Sequence, residues 1–126
     1  MLTIRDLHAG YGAAAVLQGV NAQVQGGEIV AVLGRNGSGR STLAKAVMGM
    51  VSWRGIIEWN GESLAGKRTF EIARGGIGYV PETRDVFAGL TVHQNLQMGV
   101  QRHHRHALAP SWDTEALYRL FPALHL

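Results

Sequence analysis

Residues 34–42 read Gly-Arg-Asn-Gly-Ser-Gly-Arg-Ser-Thr, and the rest of the chain is interpreted from this stretch outward. An apolar run at residues 28–33 leads into it, and an amphipathic run begins at Ser41. The spacing is that of the phosphate-binding loop, G-x-x-x-x-G-K-[ST], which lies between a strand and a helix. Glycines permit positive φ angles, so successive backbone N–H groups can line an anion site at the positive end of the helix. The stretch therefore predicts a loop that binds phosphate groups.

Each predicted contact in this loop has a residue type that suits it. Backbone amides would surround the phosphates, the Ser41 hydroxyl would meet Mg²⁺, and the Thr42 hydroxyl could reach a phosphate oxygen. The alternative is a glycine-rich turn without a ligand, and the flanking strand and helix patterns favour the phosphate loop. The predicted phosphate-binding residues are Gly34, Asn36, Gly37, Ser38, Gly39, Arg40, Ser41 and Thr42.

The loop departs from the motif at one position, where Arg40 replaces the usual lysine. Lysine is a compact ammonium on a thin stem, whereas arginine is a broad planar fork, so the exchange is not conservative at a packed phosphate site. We expect weaker nucleotide binding and a larger loss of turnover from this replacement.

The composition limits the function classes. The 126 residues are 46% hydrophobic and 17% charged, which predicts one packed domain rather than a disordered chain. The chain has no cysteine, and its net charge of +3 comes from basic residues spread along the sequence, so we predict no disulfide frame and no nucleic-acid binding. No apolar run approaches the roughly 20 residues that span a bilayer, and the N-terminus lacks a signal pattern. We therefore expect a soluble, cytoplasmic protein.

Hydrophobic periodicity predicts an α/β fold in which alternating, antiparallel strands accompany the strand and helix of the loop. The predicted strands are residues 2–7, 16–25, 28–33, 53–59, 62–64 and 77–80, with a turn at 8–12 and a hairpin turn at Asn60-Gly61. The first three predicted helices are residues 41 to about 50, 68–74 and 92–98, and Thr91 and Gln94 form a capping box at the start of the third. A last helix is predicted to begin at Asp113 or Ser111 and to run through Phe121. Residues 102–110 are predicted to form a loop. Arginines lie among its histidines, which argues against a metal site.

Several further motifs resemble those of the ATP-binding subunits of ABC transporters, over nearly all of the 126 residues. They are Tyr11-Gly12, Val16-Leu17, Gly55-Ile56, Asn60-Gly61, the run Gly-Ile-Gly-Tyr-Val-Pro-Glu at 76–82, Val86-Phe87, Leu90-Thr91-Val92 and Asn95-Leu96. The chain most resembles the branched-chain amino acid importer branch. This resemblance implies a P-loop NTPase fold of the ABC ATPase type, of which residues 1–126 would be the N-terminal half, an incomplete domain.

The resemblance also implies roles outside the phosphate loop. Tyr11 would stack on adenine, and Val16 would pack near the base or the ribose. Glu82 lies where most relatives have a glutamine that touches the metal or its water. With Ser41 it would therefore ligate Mg²⁺ beside ATP. Residues 83–95 would form part of the surface that docks a membrane permease subunit.

Other parts of the family pattern are missing from this sequence. It contains no Leu-Ser-Gly-Gly signature, no apolar strand that ends in Asp-Glu and no later switch histidine. Since phosphoryl transfer needs groups that position the metal and the attacking water, we expect this chain to bind ATP without hydrolysing it alone. We also expect apolar sheet surface to be left uncovered.

The leading functional hypothesis is an ATP-binding subunit of an importer for branched-chain or other hydrophobic amino acids, with urea or short amides as alternative substrates. Its partners would be permease subunits and a second ATP-binding subunit, in a homo- or hetero-dimer, peripheral on the inner face of the plasma membrane. A rival is a non-hydrolysing interaction module that docks on a permease or on a full-length ATPase through residues 83–95. Another phosphate-loop enzyme, such as a small-molecule kinase or a GTPase, is disfavoured because no Asn-Lys-x-Asp guanine motif is present.

Overall fold

The computed structural model describes residues 1–100 and 112–125. They fall into two units, Met1–Tyr79 and Val80–Leu126, which we describe separately. The loop predicted at 102–110 and the alternative helix cap Ser111 lie outside the described residues.

The first unit is built on a four-stranded antiparallel sheet. Its strands are β1 (Leu2–Tyr11), β2 (Ala14–Val24), β3 (Trp53–Trp59) and β4 (Glu62–Ser63), in the spatial order β2-β1-β3-β4. The antiparallel region predicted from alternation is thus present. Its first strand is longer than predicted, however, because Gly10 and Tyr11 pair with Ala15 and Ala14. The predicted turn at residues 8–12 is wrong, and only Gly12 and Ala13 separate β1 from β2.

The hairpin between β3 and β4 follows the sequence prediction. Asn60 and Gly61 both have positive φ angles, 51° and 84°, as the tight turns that suit the twist of paired strands require. Trp59 pairs with Glu62 across this turn, and Glu58 pairs with Ser63. The Asn-Gly pair therefore fixes the register of the sheet's short edge strand.

Helix α1 (Arg40–Val47) packs on this sheet and ends earlier than predicted. It ends there because Gly49 has a φ of 68° and leaves the helical conformation. A second helix, α2 (Thr69–Arg74), adds one buried side chain, Ile72. Together these elements enclose one apolar core, formed by Ile4, Leu7, Ala9, Leu17, Ala46, Val47, Met48, Ile57, Leu64 and Ile72.

Two predicted strands are absent. Residues 28–33 and 77–80 form no regular secondary structure, although both runs are apolar. Ile29 is 98% exposed and Leu33 is 88% exposed. A strand requires a hydrogen-bonded neighbour, and none of the four strands of the sheet pairs with either segment. These apolar side chains are exposed on an irregular segment, and not on the sheet surface that was expected to be left uncovered.

The second unit contains α3 (Val92–Met98), α4 (Thr114–Leu120) and a 3₁₀ turn at Pro122–His125. The predicted capping box of α3 is present, because the Thr91 hydroxyl accepts from the Gln94 N–H and the Gln94 side chain accepts from the Thr91 N–H. Asp113 caps α4 by accepting from the Ala116 N–H at 2.7 Å. Within the described residues, no helix has the length and apolar character that crossing a bilayer demands.

Candidate nucleotide site

The predicted phosphate loop forms a tight turn that leads directly into α1. The chain turns at Asn36 and Gly37, where the Ser38 N–H donates to the Arg35 carbonyl at 3.0 Å. Gly37 and Gly39 have φ angles of 82° and 94°, a region that side chains other than glycine rarely adopt. These two glycines therefore permit the backbone path of the loop, and Gly39 is one of the two glycines that the motif requires.

The amino end of α1 has no side-chain cap. Its N-cap residue is Gly39, which has no side chain to accept from the first helical N–H groups. Most helices satisfy these N–H groups with a Ser, Thr, Asn or Asp side chain. Uncapped N–H groups at the positive end of a helix are suited to an anionic ligand such as a phosphate.

Crowding explains the two glycines at the ends of the motif. A Cβ atom on Gly34 would overlap the Ser38 side chain. A Cβ atom on Gly39 would lie 2.8 Å from Leu17 Cδ2 and 3.0 Å from Val16 Cγ1. Gly39 is buried, so the loop packs directly against β2. The loop's position beside the antiparallel sheet thus depends on the absence of a side chain at residue 39.

Arg40 makes a contact within the loop itself. Its guanidinium donates to Asn36 Oδ1 at 3.2 Å. Asn36 lies in the turn that precedes α1, so this contact joins the first residue of the helix to the loop. The Arg40 side chain also borders an apolar cavity of about 260 Å³ between α1 and the sheet, which is lined by Leu2, Ile4, Leu43 and Val47 among others. One N–H group of the Arg40 guanidinium is therefore already engaged with a residue of the loop.

The residues predicted for the adenine lie beside this loop. Tyr11 is the last residue of β1 and is 48% exposed. Its hydroxyl lies 3.5 Å from Thr42 Oγ1, and Thr42 is only 4% exposed. Val16 lies on β2 next to Gly39, as the crowding at that glycine shows. The first unit thus brings both predicted base contacts to the predicted phosphate loop, and the Thr42 hydroxyl faces the phenol.

The two predicted magnesium ligands are exposed side chains that would coordinate the metal through oxygen. Ser41 is the second residue of α1 and its side chain is accessible. Glu82 belongs to the second unit, where it follows Pro81 in a turn and is exposed. Mg²⁺ is commonly held by one or two protein oxygens together with substrate phosphates and water. The chemistry of both side chains therefore fits this metal.

Asn95 is a structural residue that the sequence analysis named only as part of a motif. Its Oδ1 accepts from the Phe87 N–H at 2.8 Å, and its Nδ2 donates to the carbonyls of Phe87, Leu90 and Thr91 at 3.0 to 3.2 Å. This one amide orders residues 87–91 and leaves Val86 and Phe87 73% and 60% exposed. No local pattern in the sequence indicates this role, because the amide bonds backbone groups up to eight residues before it.

The chain is similar to known proteins over most of its length. Residues 17–124 match the family described as ABC transporter. The chain is 41% identical over 100 residues to the high-affinity branched-chain amino acid transport ATP-binding protein BraG of Pseudomonas aeruginosa, covering 79% of this chain and 43% of BraG. It is 38% identical over 99 residues to the probable branched-chain amino acid transport ATP-binding protein LivF of Archaeoglobus fulgidus, covering 78% of this chain and 42% of LivF.

A solved structure described as the ATP-binding subunit of an ABC transporter superposes with a TM-score of 0.68 at 38% identity. That alignment covers 77% of this chain and 40% of the other. The chain thus spans less than half the length of these relatives. The fold is that of a P-loop NTPase of the ABC ATPase type, represented in part, and the chain belongs to the ABC transporter family.

Proposed function

We propose that this chain is the nucleotide-binding part of an ABC importer subunit and that it binds ATP with Mg²⁺. The observation that carries the proposal is the uncapped, glycine-built amino end of α1, with Tyr11 and Val16 beside it. Backbone N–H groups at this helix end would bind the phosphates, and a planar phenol would accept the base.

Ser41 would hold the metal in this proposal. Mg²⁺ neutralises charge on the β- and γ-phosphate oxygens when it is bound. Ser41 follows Gly39 and Arg40 directly, so its hydroxyl belongs to the same first helical turn as the uncapped N–H groups. The assignment of Glu82 rests on the resemblance of the segment around Pro81 to that of the importer branch.

Arg40 limits this function. Its guanidinium is engaged with Asn36, so binding to a phosphate would require it to leave that contact or to share it. A planar fork also cannot replace the compact lysine ammonium in a packed site. We therefore propose that the chain binds ATP weakly and hydrolyses little of it on its own.

The substrate and partners follow from the relatives. BraG and LivF are named for branched-chain amino acid transport, so we propose that the importer carries branched-chain or similar hydrophobic amino acids. Permease subunits and a second ATP-binding subunit would be the partners, at the inner face of the plasma membrane. The segment that we propose for permease docking, residues 83–95, has exposed Val86 and Phe87 on a loop that Asn95 orders. The same exposed side chains favour the rival function, an interaction module that binds little nucleotide.

Calorimetric titration of the chain with Mg·ATP tests both the proposal and the role of Arg40. We expect measurable binding by the wild type and tighter binding by Arg40→Lys, by roughly threefold to tenfold, since the ammonium can reach the phosphates. The matched control is Arg35→Lys, which makes the same exchange in the same loop and should leave the affinity unchanged.

Three results would count against these statements. Absent or only millimolar ATP binding by the wild type would favour the interaction module. Unchanged or weaker binding by Arg40→Lys would contradict the account of Arg40. Sustained phosphate release by this chain alone would contradict the proposed lack of turnover, and it is measured by incubating the chain with Mg·ATP without a partner.

A further inference from the structure

Residues 29–33 are an apolar segment whose backbone is not paired with the rest of the described chain. None of the four strands of the sheet pairs with it. Among residues 1–100 and 112–125, no hydrogen bond between backbone groups in a turn or loop involves these five residues either. Backbone N–H and C=O groups that are unpaired along an apolar run form a template on which another strand can add.

The side chains of this segment alternate between two faces, as they do in an extended strand. Val30 and Val32 line the apolar cavity between α1 and the sheet, and they are 43% and 50% exposed. Ile29 and Leu33 do not line that cavity, and they are 98% and 88% exposed. One face of the segment therefore lies over α1, and the other is open.

The order of residues makes the segment complementary to itself. It reads Ile-Val-Ala-Val-Leu, which is symmetric in side-chain size about Ala31. In an antiparallel pair of two copies centred on Ala31, Ile29 of each copy would lie opposite Leu33 of the other. Opposed residues of an antiparallel pair point to the same face. This register would therefore cover the most exposed apolar side chains and keep Val30 and Val32 over α1 of their own copy.

The charges at the two ends of the segment favour the antiparallel direction. Glu28 directly precedes the segment and Arg35 follows it after one glycine, and both residues are exposed. The Glu28 Oε2 accepts from the Gln25 N–H at 2.8 Å, which holds the carboxylate at this end. Antiparallel pairing would bring the acidic end of each copy to the basic end of the other. Parallel pairing would bring like charges together at both ends.

We propose that residues 28–35 form an interface at which two copies of this chain pair as antiparallel strands about Ala31. The interface is isologous, because the same residues serve both copies and a two-fold axis closes the pair. Five paired residues from each copy make a small contact, so we expect a dissociation constant of roughly 10–100 µM. The pairing requires no nucleotide, so it goes beyond the proposed ATP site and does not depend on it.

Sedimentation equilibrium of the wild type tests whether the pair forms. We expect the mass to rise from that of a monomer to that of a dimer between about 1 and 300 µM, with or without Mg·ATP. A monomer over the whole range would overturn the proposal. Continued growth beyond the dimer would overturn it as well, because a two-fold contact closes.

Cysteine crosslinking tests the register, since the chain has no cysteine of its own. Ala31→Cys would place two thiols directly opposite each other, within the separation that a disulfide spans. Ile29→Cys is the matched control, because its two thiols would lie about 14 Å apart. We expect oxidised dimer to form roughly tenfold faster with Ala31→Cys. A mixture of Ile29→Cys with Leu33→Cys should form it faster than either variant alone.

Random collisions give the opposite order of crosslinking, because residue 29 is 98% exposed. Crosslinking of Ile29→Cys that is as fast as that of Ala31→Cys would therefore overturn the register. Circular dichroism of each variant before oxidation checks its folding. If Ala31→Cys does not fold, the mixture of Ile29→Cys with Leu33→Cys on the exposed face provides the same test, and a mixture no faster than its components would overturn the proposal.

Reversal of the end charges tests the direction of pairing. Glu28→Arg and Arg35→Glu each leave like charges at both ends, so each should weaken the dimer by about threefold to tenfold. A mixture of the two variants has opposite charges at both ends and should form a dimer with the affinity of the wild type. A mixture that stays as weak as its components would overturn the antiparallel arrangement, and so would single variants that pair as tightly as the wild type.

Discussion

Strand β3 and the segment at residues 28–33 both carry consecutive apolar residues, and their environments are opposite. β3 lies between β1 and β4, and its Ile57 is fully buried at 0% exposure. The segment pairs with no strand of the sheet, and its Ile29 is 98% exposed. An apolar run becomes a strand only where a neighbour offers backbone hydrogen bonds and a surface to cover. The difference lies in the neighbours and not in the two runs themselves.

The largest expected difference in stability is between alanine substitutions at these two isoleucines. Ile57→Ala should lower the free energy of unfolding by about 2–5 kcal/mol, because it leaves a cavity in the core where Ile4 and Leu7 also lie. Ile29→Ala makes the same chemical change on an exposed side chain and should alter stability by no more than about 0.5 kcal/mol. Urea unfolding followed by circular dichroism measures both. Equal losses in the two variants would mean that Ile29 is also buried in solution.

The elements that could be predicted are those that short-range interactions specify. Asn60-Gly61 defines its turn through the φ preferences of two adjacent residues. Thr91 and Asp113 define helix starts through side-chain bonds to N–H groups three residues away. The missing pairing of residues 28–33 depends instead on partners that are distant in sequence. Periodicity contains no information about those partners.

The same distinction applies to the candidate site. The spacing of Gly34 and Gly39 could be found in the sequence, and the structure gives each glycine a steric reason. The approach of Tyr11 to Thr42 could not be found there, since it joins residues 31 positions apart through the packing of α1 on the sheet.

A second prediction concerns Gly55, where the backbone of β3 passes close to that of β1. Gly55 has a φ of 114°, and a Cβ atom there would overlap the Asp6 carbonyl at an irregularity of the ladder. Gly55→Ala should therefore destabilise the chain by more than about 1 kcal/mol, because both the backbone conformation and the space exclude a side chain. Thermal unfolding of the variant beside the wild type measures the loss.

Gly26 provides the matched control, since it follows β2 outside the sheet and a Cβ atom there would meet nothing within 4 Å. Gly26→Ala should be neutral or slightly stabilising, by less than about 1 kcal/mol, because it restricts only the unfolded chain. A Gly55→Ala variant as stable as the Gly26→Ala variant would show that the β1–β3 ladder tolerates a side chain at this point.

The smallest expected change in stability is at Leu33, which is 88% exposed at the end of the unpaired segment. Leu33→Gln should change the free energy of unfolding by no more than about 0.5 kcal/mol, since little apolar surface is buried there to lose. It should nevertheless reduce self-association, because exposed apolar side chains favour contacts between molecules. Light scattering over a concentration series measures this self-association. The contrasting variant for stability is Leu17→Gln, at a buried position with 5% exposure, which should lower the free energy of unfolding. If Leu33→Gln destabilises the chain as Leu17→Gln does, the segment is covered in solution. In that case the contrast with β3 does not hold.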